Sequence, residues 1–203
     1  MRSRWPQAVG LVWLATQAIA PVAAMDLQAS GSTPSQPVAA KTSDETALAA
    51  FRAAVAGYLE VRKKISAELP PMKVTPRAAE ITAASDALAR AVQRARPRAR
   101  QGSFFTPEVG TVIRRQLEGA LRSTDRASVL ALINEEESTV TRPTIHMRFP
   151  AAGVLASTPA VLLNALPPLP SELEYRFIGR ILVIRDIQAA LILDYLSPAL
   201  PAS

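Results

Sequence analysis

The sequence predicts an α+β domain: four to five helices followed by a small C-terminal antiparallel β-hairpin or three-stranded meander. Three observations predict it. A long apolar stripe at three- and four-residue spacing runs from Leu48 to Leu69. The dipeptide Thr-Pro recurs at Thr75-Pro76, Thr106-Pro107 and Thr158-Pro159, each time placing an N-capping hydroxyl before a proline whose fixed φ suits the first helical position. From Glu174 to Ile184 the pattern changes to alternating charged and apolar side chains, then a Gly-Arg turn and a β-branched run, the signature of a hairpin.

The first helix is expected over about Ser43–Glu68, with Ser43 as N-cap and Asp44 and Glu45 in the positive first turn. Leu48, Phe51, Val55, Tyr58, Ile65 and Leu69 form its apolar face. Arg62, Lys63 and Lys64 stand near its C-terminus, where cations are favoured, and Pro70-Pro71 stops it. The second helix, about Pro76–Ala95, turns Ala78, Ile81, Leu88 and Val92 inward and ends before Pro97. The third, about Pro107–Arg122, buries Val109, Val112, Ile113, Leu117 and Leu121, with Gly110 and Gly119 each weakening it by up to ~1 kcal/mol relative to Ala. A short fourth helix, Arg126–Asn134, packs Val129, Leu130 and Ile133, and a last one, about Pro159–Leu166, ends at Pro167-Pro168. In the tail, Glu174–Ile178 and Ile181–Ile184 are strands joined at Gly179-Arg180. Ala190–Leu196 reads as a third strand in preference to a helix continuing from Asp186, although Ile184, Ile187, Leu191 and Tyr195 share a helical face.

The N-terminal end reads differently. Arg2 and Arg4 precede an apolar run, Ala8–Ala20, then Pro21 and the small residues Val22-Ala23-Ala24, which is the pattern of a secretory signal over residues 1–24. The run falls short of the ~20 apolar residues of a membrane span and is interrupted by Thr16 and Gln17, so no transmembrane segment is expected after cleavage behind Ala24. Residues 25–42, rich in Ser, Pro and Ala, read as a disordered linker, which leaves 43–200 as a single domain. The expected location is therefore exported, periplasmic or secreted. There is no cysteine in the 203 residues, which excludes a disulfide scaffold, a thiol nucleophile, a lipid-modified cysteine and any Cys-ligated metal. The net charge of +6 is carried largely by arginine, which suits bidentate contact with carboxylate or phosphate.

Arg90, Arg94, Arg96, Arg98 and Arg100 are the candidate anion- or partner-binding residues. Arg90 and Arg94 share a helix face, and the other three flank Pro97 in an extended exit. A solvated helix end is the simpler reading of the same charges. His146 is the single histidine and has no nucleophile elbow around any serine to serve. Glu135-Glu136-Glu137 are consecutive and cannot all face one point, so they suit a solvated loop better than a divalent-cation site. Asp186 and Asp194 are conceivable paired acids of a hydrolase, and also ordinary acids at strand ends. Leu166–Pro170 reads as a rigid connector or as an extended proline ligand.

Two stretches carry a resemblance: Gln101-Gly102-Ser103-Phe104-Phe105-Thr106-Pro107-Glu108-Val109, and Leu166-Pro167-Pro168-Leu169-Pro170 followed by Glu172-Leu173-Glu174-Tyr175-Arg176-Phe177, Gly179-Arg180, Arg185-Asp186 and Asp194. Together they resemble a family of uncharacterised exported bacterial proteins, over most of residues 45–200. The resemblance implies export and fold, and no activity. Tyr175–Leu196 is also similar to the closing meander of small periplasmic proteins linked to nickel and cobalt homeostasis, a likeness of fold that carries no function.

These readings converge on a non-catalytic exported or periplasmic binding protein that contacts an anionic envelope component, or another protein, through the arginine-rich segment. No cofactor is expected and nucleic acid is not an expected partner. The alternative is a small exported hydrolase-like or metal-responsive protein using the acids of the meander.

Overall fold

The computed structural model describes residues 37–70, 75–134, 142–149 and 158–201. The expected signal, most of the expected linker and Glu135–Glu137 lie outside the described residues. Residues Ser35–Ser203 form one compact unit. Among the described residues its order is α1 (Pro37–Glu68), α2 (Ala78–Ala95), α3 (Pro107–Arg122), α4 (Arg126–Asn134), α5 (Ala160–Leu163), β1 (Leu173–Ile178), β2 (Ile181–Asp186) and β3 (Leu191–Leu196). The strands make one antiparallel sheet in the order β1-β2-β3. The α+β architecture is the one expected, and residues 191–196 are strand.

The helices pack on one face of the sheet. Phe51, Val55, Tyr58 and Ile65 of α1, Val109, Ile113, Leu117 and Leu121 of α3, and Leu182, Ile184, Leu191 and Leu193 of the sheet belong to one buried cluster. Burying such side chains contributes roughly 1.5–3 kcal/mol each. The other face of the sheet carries a smaller cluster, Ile178, Val183 and Ile192, packed against Met147 and Phe149.

β2 and β3 do not pair in simple alternation. Ile184 pairs with Asp194 and Arg185 with Ile192, so Leu193 is left without a partner as a β-bulge. Side chains three apart on a regular strand point to opposite faces. The bulge restores agreement, so that Leu191, Leu193 and Asp194 all face the helices. The outer edge of β3 is covered by residues 146–149. His146 N donates to Ile192 O, Ile192 N to Met147 O and Phe149 N to Ala190 O, at 2.8–3.0 Å. His146, expected in an extended stretch, instead lies in a turn with φ +66°, closed by Met147 N donating to Thr144 O, and pairing with β3 continues from there to Phe149. Covering the edge removes a row of unpaired backbone groups.

Several boundaries differ from expectation. α1 starts at Pro37 instead of Ser43, so its first turn takes in residues assigned to the linker. Proline is tolerated there because its missing N–H would have no helical acceptor. Thr42 and Ser43 are then interior, and Thr46 Oγ1 donates back to Thr42 O at 2.8 Å. Only one of the three Thr-Pro pairs caps a helix as expected: Thr106 Oγ1 accepts from Val109 N at 3.4 Å, with Pro107 in the first turn. Thr75 Oγ1 accepts from Arg77 N instead, in a turn that delays α2 to Ala78. Before α5, Pro159 itself occupies the capping position, and the helix closes at Leu163. Ala78 and Ile81 are exposed, Ile81 at 48%, because the buried face of α2 is confined to Leu88, Ala89 and Val92.

Candidate functional site

The most chemically specific arrangement in the domain is a chain of polar and aromatic groups that runs beneath the helices. It begins at Asp186, the last residue of β2, fully buried. Asp186 Oδ2 accepts from Tyr58 Oη at 2.8 Å and from Arg62 Nε at 2.7 Å, while Oδ1 accepts from Ala189 N at 2.7 Å. A buried carboxylate needs such partners, because leaving it unpaired in a low-dielectric interior is costly. Burial and the neighbouring Asp186 charge push the Tyr58 hydroxyl far above the usual phenol range.

Above the Tyr58 ring lies the Arg96 guanidinium, 5.3 Å from its centroid and 5.4 Å from that of Phe104. The two rings meet edge to face at 6.1 Å. Both distances to the guanidinium fall within cation–π range. Burial pulls the Arg96 guanidinium below its ordinary range, and the Asp194 charge acts in the opposite sense. Arg96 Nη1 is buried without a hydrogen-bond partner among the described residues.

The chain ends at Asp194, also fully buried. Its Oδ2 accepts from Phe104 N and Phe105 N at 2.7 and 2.9 Å, and its Oδ1 from Gly102 N and Tyr195 N at 2.9 and 2.8 Å. Gly102 has φ +87°, a left-handed conformation that glycine adopts at no steric cost, and this turns its N–H toward the carboxylate. The segment Gln101–Pro107 is therefore moulded on one side chain from β3. In the same way Tyr175 Oη donates to Pro167 O at 3.1 Å and clips the Leu-Pro-Pro-Leu-Pro segment to β1.

Asp186 and Asp194 occupy separate structural cages, with every carboxylate oxygen engaged by protein donors. They do not form a paired, accessible couple for hydrolysis. His146 lies half-buried with φ +66°, its Nε2 buried and unpartnered among the described residues. Burial, helped by the Arg96 charge, holds its pKa below the usual histidine range. Among the described residues no group of three His, Asp or Glu side chains could hold a metal ion, and no helix is long and apolar enough to cross a membrane.

The five arginines do not act alike. Arg90, Arg94, Arg98 and Arg100 are exposed, whereas Arg96 turns inward to the aromatic pair. Arg62, read from sequence as a helix-end cation, is the arginine that reaches the Asp186 cage. Its signal was its position: 58, 62, 65 and 69 continue the stripe of α1 at spacings of four, three and four.

Comparison with family models, with curated proteins and with solved structures returned no match.

Proposed function

We propose that the chain is an exported, non-catalytic binding protein whose domain contacts an anionic envelope component through Arg90, Arg94, Arg98 and Arg100. One observation carries this reading: all four are exposed, and none of their guanidinium groups has a hydrogen-bond or ion-pair partner among the described residues. By contrast Arg62, Arg115, Arg148 and Arg185 are each tied to a carboxylate. Cations held near the C-terminal end of α2 and along its exit create a local positive field, worth about 1 kcal/mol per residue at an anionic surface. Export rests on the signal pattern of residues 1–24. The engaged oxygens of Asp186 and Asp194 count against the hydrolase-like alternative.

The test uses protein recovered from the exported fraction, whose intact mass should begin at Met25. It should sediment with vesicles containing anionic phospholipid and not with neutral ones, and salt should release it. The triple variant Arg94→Glu, Arg98→Glu, Arg100→Glu should lose this association and keep the wild-type melting temperature. Undiminished association of that variant overturns the proposal.

A further inference from the structure

A cleft of about 650 Å³ opens between the C-terminal half of α1 and the N-terminal half of α2, with Gln188 of the β2–β3 turn at its base. That volume lies within the ~300–1,000 Å³ of small-molecule sites. Its apolar lining comprises Leu69, just after the end of α1, and Ile81, Ala84 and Leu88 of α2. Ile81 is one of only four large hydrophobic side chains strongly exposed among the described residues. Its exposure is unexplained by the fold, because Leu88, Ala89 and Val92 already supply the buried face of α2.

The polar groups lining the cleft are Arg62, Ser66, Thr75, Glu80 and Gln188. Arg62 gives Nε to Asp186 and Nη2 to Gln188 Oε1, both at 2.7 Å, and its Nη1 has no bond among the described residues. The Ser66 hydroxyl also has none. Glu80, the acid of the lining, is occupied by Arg77 at 2.6 Å. An apolar trough ending in a guanidinium nitrogen and a hydroxyl matches an aliphatic chain that ends in an acceptor-rich head.

We propose that this cleft is a second binding site, which takes a single-chain aliphatic carboxylate of the fatty-acid type, its chain between Leu69, Ile81 and Leu88 and its head on Arg62. Asp186 already balances the Arg62 charge, so the head supplies orientation and the chain supplies most of the affinity. The site is separate from the exposed arginines and stands independently of the reading above.

The experiment is calorimetric titration of the exported protein with octanoate, decanoate and dodecanoate, each below its micelle-forming concentration. Affinity should rise by roughly two- to fourfold per methylene, and dodecanol should bind at least tenfold more weakly than dodecanoate. Ile81→Asp, at an exposed position, should abolish binding at an unchanged melting temperature. Ala83→Trp, which fills the cleft from another exposed position, repeats the test should Ile81→Asp lower that temperature. The Arg94→Glu, Arg98→Glu, Arg100→Glu variant should bind dodecanoate as the wild type does. Absence of binding, or binding undiminished by both cleft variants, overturns the site. Binding lost in the triple arginine variant instead places the ligand on the exposed arginines and overturns it as well. Dodecanol binding as tightly as dodecanoate overturns the assignment of the head to Arg62.

Discussion

The hydroxyl of Tyr58, in α1, donates to Asp186 at the end of β2 at 2.8 Å, across 128 residues of chain. This bond, with Arg62 on the same carboxylate oxygen, ties the long helix to the sheet. Removing the hydroxyl alone leaves the carboxylate its other donors, whereas neutralising the acid leaves a part-buried guanidinium uncompensated. Tyr58→Phe should therefore cost about 1–2 kcal/mol, and Asp186→Ala about 3–5 kcal/mol, as read from urea unfolding midpoints. Equal losses in the two variants would refute this ordering.

Asp194 accepts from the backbone amides of Gly102, Phe104 and Phe105. In Asp194→Asn one oxygen becomes an amide NH2 that cannot accept from a backbone N–H, so either the Phe104 and Phe105 amides or the Gly102 and Tyr195 amides lose their acceptor. The expected loss is about 2–6 kcal/mol, with faster amide hydrogen exchange at one of these two pairs ahead of the rest of the domain. Wild-type exchange at all four amides would contradict the cage.

Arg96 and Arg94, two residues apart, should respond differently to truncation. Arg96→Ala removes a guanidinium stacked on Tyr58 and Phe104 and should lower stability by about 1–2 kcal/mol. Arg94→Ala, exposed and unpaired, should change it by less than ~0.5 kcal/mol. Thermal melts of the two single variants decide the matter.

The two glycines of α3 also separate. A Cβ on Gly119 meets nothing within 4 Å, so Gly119→Ala should raise stability by up to ~1 kcal/mol through helix propensity alone. A Cβ on Gly110 would lie 2.9 Å from Leu196 Cδ1, where α3 crosses the sheet. Gly110→Ala should forfeit that gain, and a melting temperature rising as far as in Gly119→Ala would show that the close approach is relaxed without cost.

Alkaline pH should weaken the domain. Tyr58 and Tyr175 both have pKa values raised in the fold, Tyr58 by burial and then by Asp186, Tyr175 by burial. The fold favours their neutral forms, so their contribution is whole below the unfolded phenol pKa of ~10 and is lost as pH climbs from there toward the higher folded values. Denaturation midpoints measured between pH 8 and 11 should fall with pH, and Tyr175→Phe should flatten that slope. An identical slope in the variant would remove Tyr175 from the account.

Much of the fold was legible in the chain because periodicity reports local geometry. The stripe of α1, the capped start of α3 at Thr106-Pro107, and the hairpin around Gly179-Arg180 each declare themselves within one helical turn or one strand. The strand at Leu191–Leu196, ambiguous by its apolar pattern, was resolved by pairing with β2. What local pattern cannot contain is the partner of a side chain far along the sequence. That Arg62 faces Asp186, that Arg96 leaves the company of Arg94 and Arg98 for two aromatic rings, and that Ile81 borders a cleft all depend on which elements pack together. The same holds for the bulge at Leu193, which brings Asp194 to the helix side of the sheet. The sequence by itself determined the order and kind of the elements, since these follow from spacing and turn chemistry. Tertiary structure decided the meaning of the charged residues, since burial and pairing are properties of distance in space.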